Sequence, residues 1–171
     1  MTRQSRAMVL GIALGFALSG APAVQAEVPE NDIRGKAIYG HIEQVRLGDI
    51  PDPVPARLDT GAQRSSLNAQ DVEIIERDDQ RYVRFTFVDG DSREHEIERP
   101  LVEETRVRQA SGSEPRYVVS LPLCVGDRLA DVEFTLADRS SMTYPMLVGR
   151  NFLSEHALVS SAHRNTLKSA C

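Results

Sequence analysis

Val54-Pro55-Ala56-Arg57-Leu58-Asp59-Thr60-Gly61-Ala62-Gln63-Arg64-Ser65-Ser66-Leu67 is the stretch on which the reading of this chain turns. A short apolar approach ends in one carboxylate, one hydroxyl and one glycine, and small polar residues follow. Asp59 at the end of such a strand can take or give a proton, and Gly61 lets another backbone come close. The same Asp-Thr-Gly also makes an ordinary turn between two strands. Which meaning holds depends on what the rest of the chain supplies.

Toward the N-terminus, Arg3 and Arg6 precede the apolar run Ala7 to Leu18, and small residues continue to Val24-Gln25-Ala26. That is the layout of a signal peptide over 1–26, cut near Ala26, and the run is short for a membrane span. Leu18-Ser19-Gly20 is followed by Ala21 where a lipid-bearing cysteine would be needed, so no membrane anchor is expected. The expected location is periplasmic or secreted. Residues 27–36 read as a flexible lead, and 37–171 as one domain with no repeat or long linker. Removing 1–26 takes two arginines and no acids from a chain of net charge −5, leaving about −7. Such a surface does not suit nucleic acid or an anionic membrane.

Downstream of Leu67 the pattern is that of strands. Val83, Phe85 and Phe87 alternate with Arg84 and Thr86, and Val132, Phe134 and Leu136 with Glu133 and Thr135. Ile97, Leu101 to Val107 and Val118 to Val125 add further β-formers. Turn signals fall at Asp78-Asp79, Asp89-Gly90-Asp91, Ser111-Gly112-Ser113 and Gly126-Asp127. Strands at this spacing predict an all-β barrel or sandwich, with one short helix starting near Arg150. Cys124 and Cys171 are the two cysteines, and in an oxidising compartment they are a disulfide candidate. Sequence alone does not show that their sulfurs meet.

A second close-approach glycine follows a buried strand near the end, in Tyr144-Pro145-Met146-Leu147-Val148-Gly149-Arg150-Asn151-Phe152-Leu153. Together with Asp59-Thr60-Gly61-Ala62 and the hairpins between, it resembles the paired signatures of retropepsin-type aspartic peptidases. Asp138-Arg139-Ser140-Ser141-Met142-Thr143-Tyr144-Pro145 resembles, more narrowly, a bacterial branch that has carried the label of ATP-dependent zinc protease. The resemblance spans most of Val54 to Leu153. It implies a closed β-barrel, retropepsin-like half-protease with one short C-terminal helix. It also implies catalysis by Asp59 with a second Asp59 from another subunit, since like charges a few ångströms apart share one proton and split acid and base roles. Thr60, Gly61, Ala62, Gly149 and Arg150 would support that loop. The partners implied are a peptide in extended conformation and a second copy of the chain, with no cofactor and no metal. The flap over the substrate would fall at Ser111, Gly112 and Ser113, with the Asp89-Gly90-Asp91 turn as its rival.

The chain departs from the family pattern at Gln63, where an acid commonly follows Asp-Thr-Gly-Ala and pairs with the distal arginine. Arg150 must therefore find another acceptor. Asp127, Asp131 and Asp138 lack a following Thr/Ser-Gly, so no second catalytic aspartate lies within the chain. His41, His95, His156 and His163 form no His-Glu-x-x-His pair, and no Gly-x-x-x-x-Gly-Lys loop is present to cradle phosphates. The leading expectation is an exported aspartic endopeptidase acting as a homodimer. A non-catalytic periplasmic module binding peptides or partners is the alternative, and a metallopeptidase the third.

Overall fold

Alternation of apolar and polar residues sets the strands of the computed structural model. In β1 to β10 below, residues 34–109, 112–167 and 170–171 are described, with only the backbone for 107–109 and 112–114. The expected leader at 1–26 and most of the lead at 27–36 lie outside them. Along β5 (Gln80–Val88), Val83, Phe85 and Phe87 are buried while Arg84 points to solvent. Along β8 (Arg128–Ala137), Val132, Phe134 and Leu136 are buried while Asp131 and Glu133 are not. The other strands are β1 (Ala37–Gly40), β2 (Ile42–Leu47), β3 (Val54–Leu58), β4 (Ser65–Arg77), β6 (Glu94–Gln109), β7 (Gly112–Val125), β9 (Met146–Val148) and β10 (Ala157–Ser160). The helix α1 (Arg150–His156) separates β9 from β10 and buries Phe152 and Leu153. The fold is all-β with one short helix.

The main sheet runs β2-β3-β9-β4-β5-β6-β7-β8, and a β2–β7 pairing through Leu47 and Leu123 closes a ring of seven strands. β4 makes this closure possible. Its first residues pair with β8 and β9, and its later ones with β5. The change of partner falls between Asn68 and Ala69, just before an irregularity between Gln70 and Glu73, where Asp71 has φ +50°. A bulge there bends the strand from one part of the ring to the next. The β4–β5 connection is a two-residue turn with Asp78 and Asp79 both left-handed, at φ +52° and +59°. This geometry matches the natural twist of a hairpin. Phe85, Phe87, Leu121, Leu123, Phe134 and Met146 fill the interior enclosed by the ring.

β1 and β10 pair in parallel as a separate two-stranded sheet. The chain beyond β10 is tied back to the body twice. Glu43, fully buried, accepts hydrogen bonds from Gly40 N, Thr166 N and Leu167 N. Cys124 and Cys171 are joined by a disulfide that closes a loop with a sequence separation of 47.

Candidate active site

β9 lies between β3 and β4, parallel to the first (Leu58 beside Val148) and antiparallel to the second (Leu67 beside Met146). The chain leaving β3 therefore emerges at Asp59 next to the chain leaving β9 at Gly149. Asp59 N donates to Val148 O at 2.9 Å, which fixes the loop to the end of β9. Asp59 is half-buried, while Thr60 and Gly61 are exposed.

The carboxylate is held on one side only. Gly61 N donates to Asp59 Oδ1 at 2.8 Å. A Cβ on Gly61 would stand 3.1 Å from that oxygen, so a larger residue would press on the group it serves. Among the described residues no hydrogen bond or ion pair reaches Asp59 Oδ2. That oxygen is available.

Arg150, at the start of α1, carries the loop from behind. Its Nη1 donates to Thr60 O at 3.0 Å and to Gly61 O at 2.9 Å, and its Nη2 donates to Gln63 Oε1 at 3.1 Å. An amide oxygen and two carbonyls thus take the place of the acid that Gln63 replaces. The backbone adds Arg150 N to Ala62 O at 2.9 Å and Asn151 N to Gln63 O at 3.1 Å. Gly149 is required by space: a Cβ there would meet Arg64 C at 2.7 Å and Arg64 O at 2.8 Å.

Two residues to which the sequence reading gave no role complete the frame. Ser65 Oγ donates to Asn151 Oδ1 at 2.8 Å and accepts from Gly149 N at 2.9 Å. Asn151 Nδ2 donates in turn to Glu133 O at 2.8 Å. Their only signal was a small polar residue four positions after Gly61 and an amide two positions after Gly149.

Asp59 opens onto a cleft of about 480 Å³ lined also by Arg57, Arg139, Met142, Tyr144 and Leu147. Two arginines against one carboxylate make this lining cationic, although the chain as a whole is acidic. Arg139 is buried. Its N donates to Asn68 Oδ1 at 2.8 Å, its Nε to Tyr144 O at 3.2 Å and its Nη1 to Ser66 Oγ at 2.9 Å. Burial lowers the proton affinity of this guanidinium, the like charge of Arg57 adds to that, and Asp59 opposes it.

The two flap candidates lie on different hairpins, β5–β6 and β6–β7. Ser111 lies outside the described residues. Gly112 and Ser113 open β7, paired with Gln109 and Arg108 in a hairpin of two long strands. The Asp89 turn is fastened at several points, which does not suit a flap. Asp89 accepts from Asp91 N, Arg93 N, Arg93 Nε and His95 Nε2, and Arg93 also pairs with Asp52 and Asp91. Burial raises the Asp89 pKa, but the bonds from His95, the two amides and the Arg93 side chain outweigh it and bring it down to about 2. Among the described residues no three His, Cys, Asp or Glu side chains converge as a metal site would require.

The family model described as "RimB-like: Retropepsin-like aspartic endopeptidase RimB" matches residues 38–169. The chain belongs to this family. The match takes in both glycine loops, the strands that bring them together and Arg139. A crystal structure of a Legionella pneumophila protein of unknown function is similar to this RimB-like chain at 31% identity. The similarity has a TM-score of 0.68 and covers 77% of this chain and 98% of that one. Among curated proteins, a probable alpha-L-glutamate ligase of Desulfotalea psychrophila is 30% identical over 74% of this chain. One of Parasynechococcus marenigrum is 34% identical over 72%. The RimB-like chain spans 28% of the length of each of these two relatives.

Proposed function

We propose that this chain is an exported aspartic endopeptidase in which Asp59 works with the Asp59 of a second copy. The observation that carries the reading is the state of Asp59: one oxygen is anchored by Gly61 N, the other is open to the cleft, and among the described residues no other carboxylate lines that cleft. Two such groups facing one another would hold one proton between them and a water in reach of both. The ionised member would draw a proton from the water, and the protonated one would polarise the peptide carbonyl. Substrate would lie extended along the cleft, bonded through its main chain.

The ligase names belong to proteins of which this chain matches little more than a quarter, and a ligase activity is not carried over. What the names add is the compound they print, alpha-L-glutamate. A cationic cleft in an acidic protein attracts acidic segments by its local field and by direct pairing. Glutamate-rich peptides are therefore the proposed substrates.

The test is cleavage of a peptide library by the mature chain and by Asp59→Asn, with light scattering run alongside. The expected result is a dimer whose cleavage depends on Asp59. Equal cleavage by both proteins, or a chain that cleaves as a monomer, would overturn the reading.

A further inference from the structure

Arg139 is the one buried lysine or arginine among the described residues, 8% exposed. Its side-chain bonds go to a hydroxyl and a carbonyl, Ser66 Oγ and Tyr144 O, and no aspartate or glutamate among the described residues pairs with it. Neutral acceptors solvate a guanidinium but leave its charge in place, and the charge of Asp59 acts on it only without a bond, so a buried cation of this kind is costly. A guanidinium has five N–H groups, and the bonds found here engage Nε and Nη1. Among the described residues no enclosed side-chain nitrogen or oxygen lacks a partner, so Nη2 is not enclosed. It opens outward.

What it opens onto is defined by the clefts that Arg139 lines. One contains Asp59 and Arg57; the adjoining one contains Asn68, Asp89 and Gly90. Met142 and Thr143 also border both, so the two clefts adjoin at Arg139. The carboxylate of the second cleft is already spent, since both Asp89 oxygens are taken by Arg93 and His95 and by two backbone amides. Asp59, in the first, does not bond to Arg139. The guanidinium is thus held in place with its Nη2 unengaged and no carboxylate bonded to it, beside the group proposed to do the chemistry.

We propose that Arg139 is a specificity-determining residue that receives a carboxylate of the bound peptide where these two clefts adjoin. The inference rests on the peptidase reading only for the identity of the ligand as a peptide. Two sources fit the chemistry, a glutamate or aspartate side chain and a free C-terminal carboxylate. A charge-assisted bond of this kind is lost when the ligand carboxylate becomes an amide, leaving the cation unpaired.

The experiment measures binding rather than turnover. Full-length mature Asp59→Asn protein is titrated with fluorescent peptides carrying Glu or Gln at one position, each with a free or an amidated C-terminus. A Glu peptide is expected to bind roughly ten- to a hundredfold tighter than its Gln counterpart. Adding Arg139→Gln should erase that ratio, and Arg139→Lys should keep part of it. If the ratio instead follows the C-terminal amide, the bound group is the terminal carboxylate and the inference stands. Equal binding of all four peptides, or a ratio that survives Arg139→Gln, would overturn it. Should Arg139→Gln not fold, the Arg139 side-chain NMR signal of the Asp59→Asn protein decides, since it must shift with the preferred peptide and not with its amide counterpart. Arg139-dependent binding by a wild-type chain that cleaves nothing would sink the peptidase and leave this subsite in place.

Discussion

Asp59 and Asp89 begin with the same local bond and end in opposite situations. In each, Oδ1 accepts the amide two residues on, from Gly61 at 2.8 Å and from Asp91 at 2.8 Å. At Asp89 the bonding continues until Arg93 and His95 have also taken Oδ2. At Asp59 it stops, and the surrounding arginine works on the backbone of the loop instead, through Thr60 O and Gly61 O. The difference separates a carboxylate with both oxygens bonded from one that keeps an oxygen open. A turn stabilised by its own aspartate is inert; a turn stabilised by its neighbours keeps its aspartate available.

The largest way to break this contrast is Asp59→Asn. Cleavage is expected to fall roughly 10²–10⁴-fold, while the urea midpoint moves by no more than about 0.5 kcal/mol in stability. A fall in stability instead would mean that Asp59 is structural after all. Next comes Gly149→Ala, whose methyl would run into the Arg64 backbone. A loss of about 1–3 kcal/mol is expected, together with lower activity because the displaced segment leads away from Asp59. Denaturation and kinetics on one preparation test both.

Asp89→Asn should cost on the order of 2 kcal/mol at neutral pH and leave peptide binding nearly unchanged. The sign follows from the direction of its shift. The folded pKa, about 2, lies below the unfolded value near 3.8, so the stabilisation is complete above roughly pH 4 and fades as pH falls through 2. Acid titration of wild type should show that slope, and Asp89→Asn should lack it. The smallest effect is expected from Gln63→Glu, which gives Arg150 a carboxylate in place of an amide. An exposed pair of this kind adds about 0–1 kcal/mol, so a clear gain in dimer stability by dilution would reveal that Arg150 does more than brace its own loop.

The parts legible in the sequence were those that follow a short-range rule. β5 and β8 were readable because alternation alone puts Phe85 and Phe134 inside. The helix beginning at Arg150 and the hairpin turn at Asp78-Asp79 were readable for similarly local reasons. β4 was not. Its first residues, Ser65 to Asn68, are small or polar with Leu67 among them, and Ser65, Leu67 and Asn68 are buried because β8 and β9 cover them. No pattern in the segment itself announces that. Arg139 was hidden for the same reason: its burial comes from Asn68 and Ser66, about seventy residues earlier in the chain. The two glycine loops could be named from sequence, but the amide of Gln63 standing in for a missing acid required coordinates.

The covalent bond between Cys124 and Cys171 has a consequence for damage as well as for folding. By the chain-entropy estimate a loop of this length contributes about 4 kcal/mol. The ring it closes contains Arg139, Gly149 and Arg150, and leaves Asp59 outside. A foreign protease entering at the exposed residues Ser140 to Met142 would therefore cut the polypeptide without releasing a fragment. The nicked protein would keep its mass until a reductant was added, and the residues that carry and flank Asp59 would stay tethered after their backbone was broken.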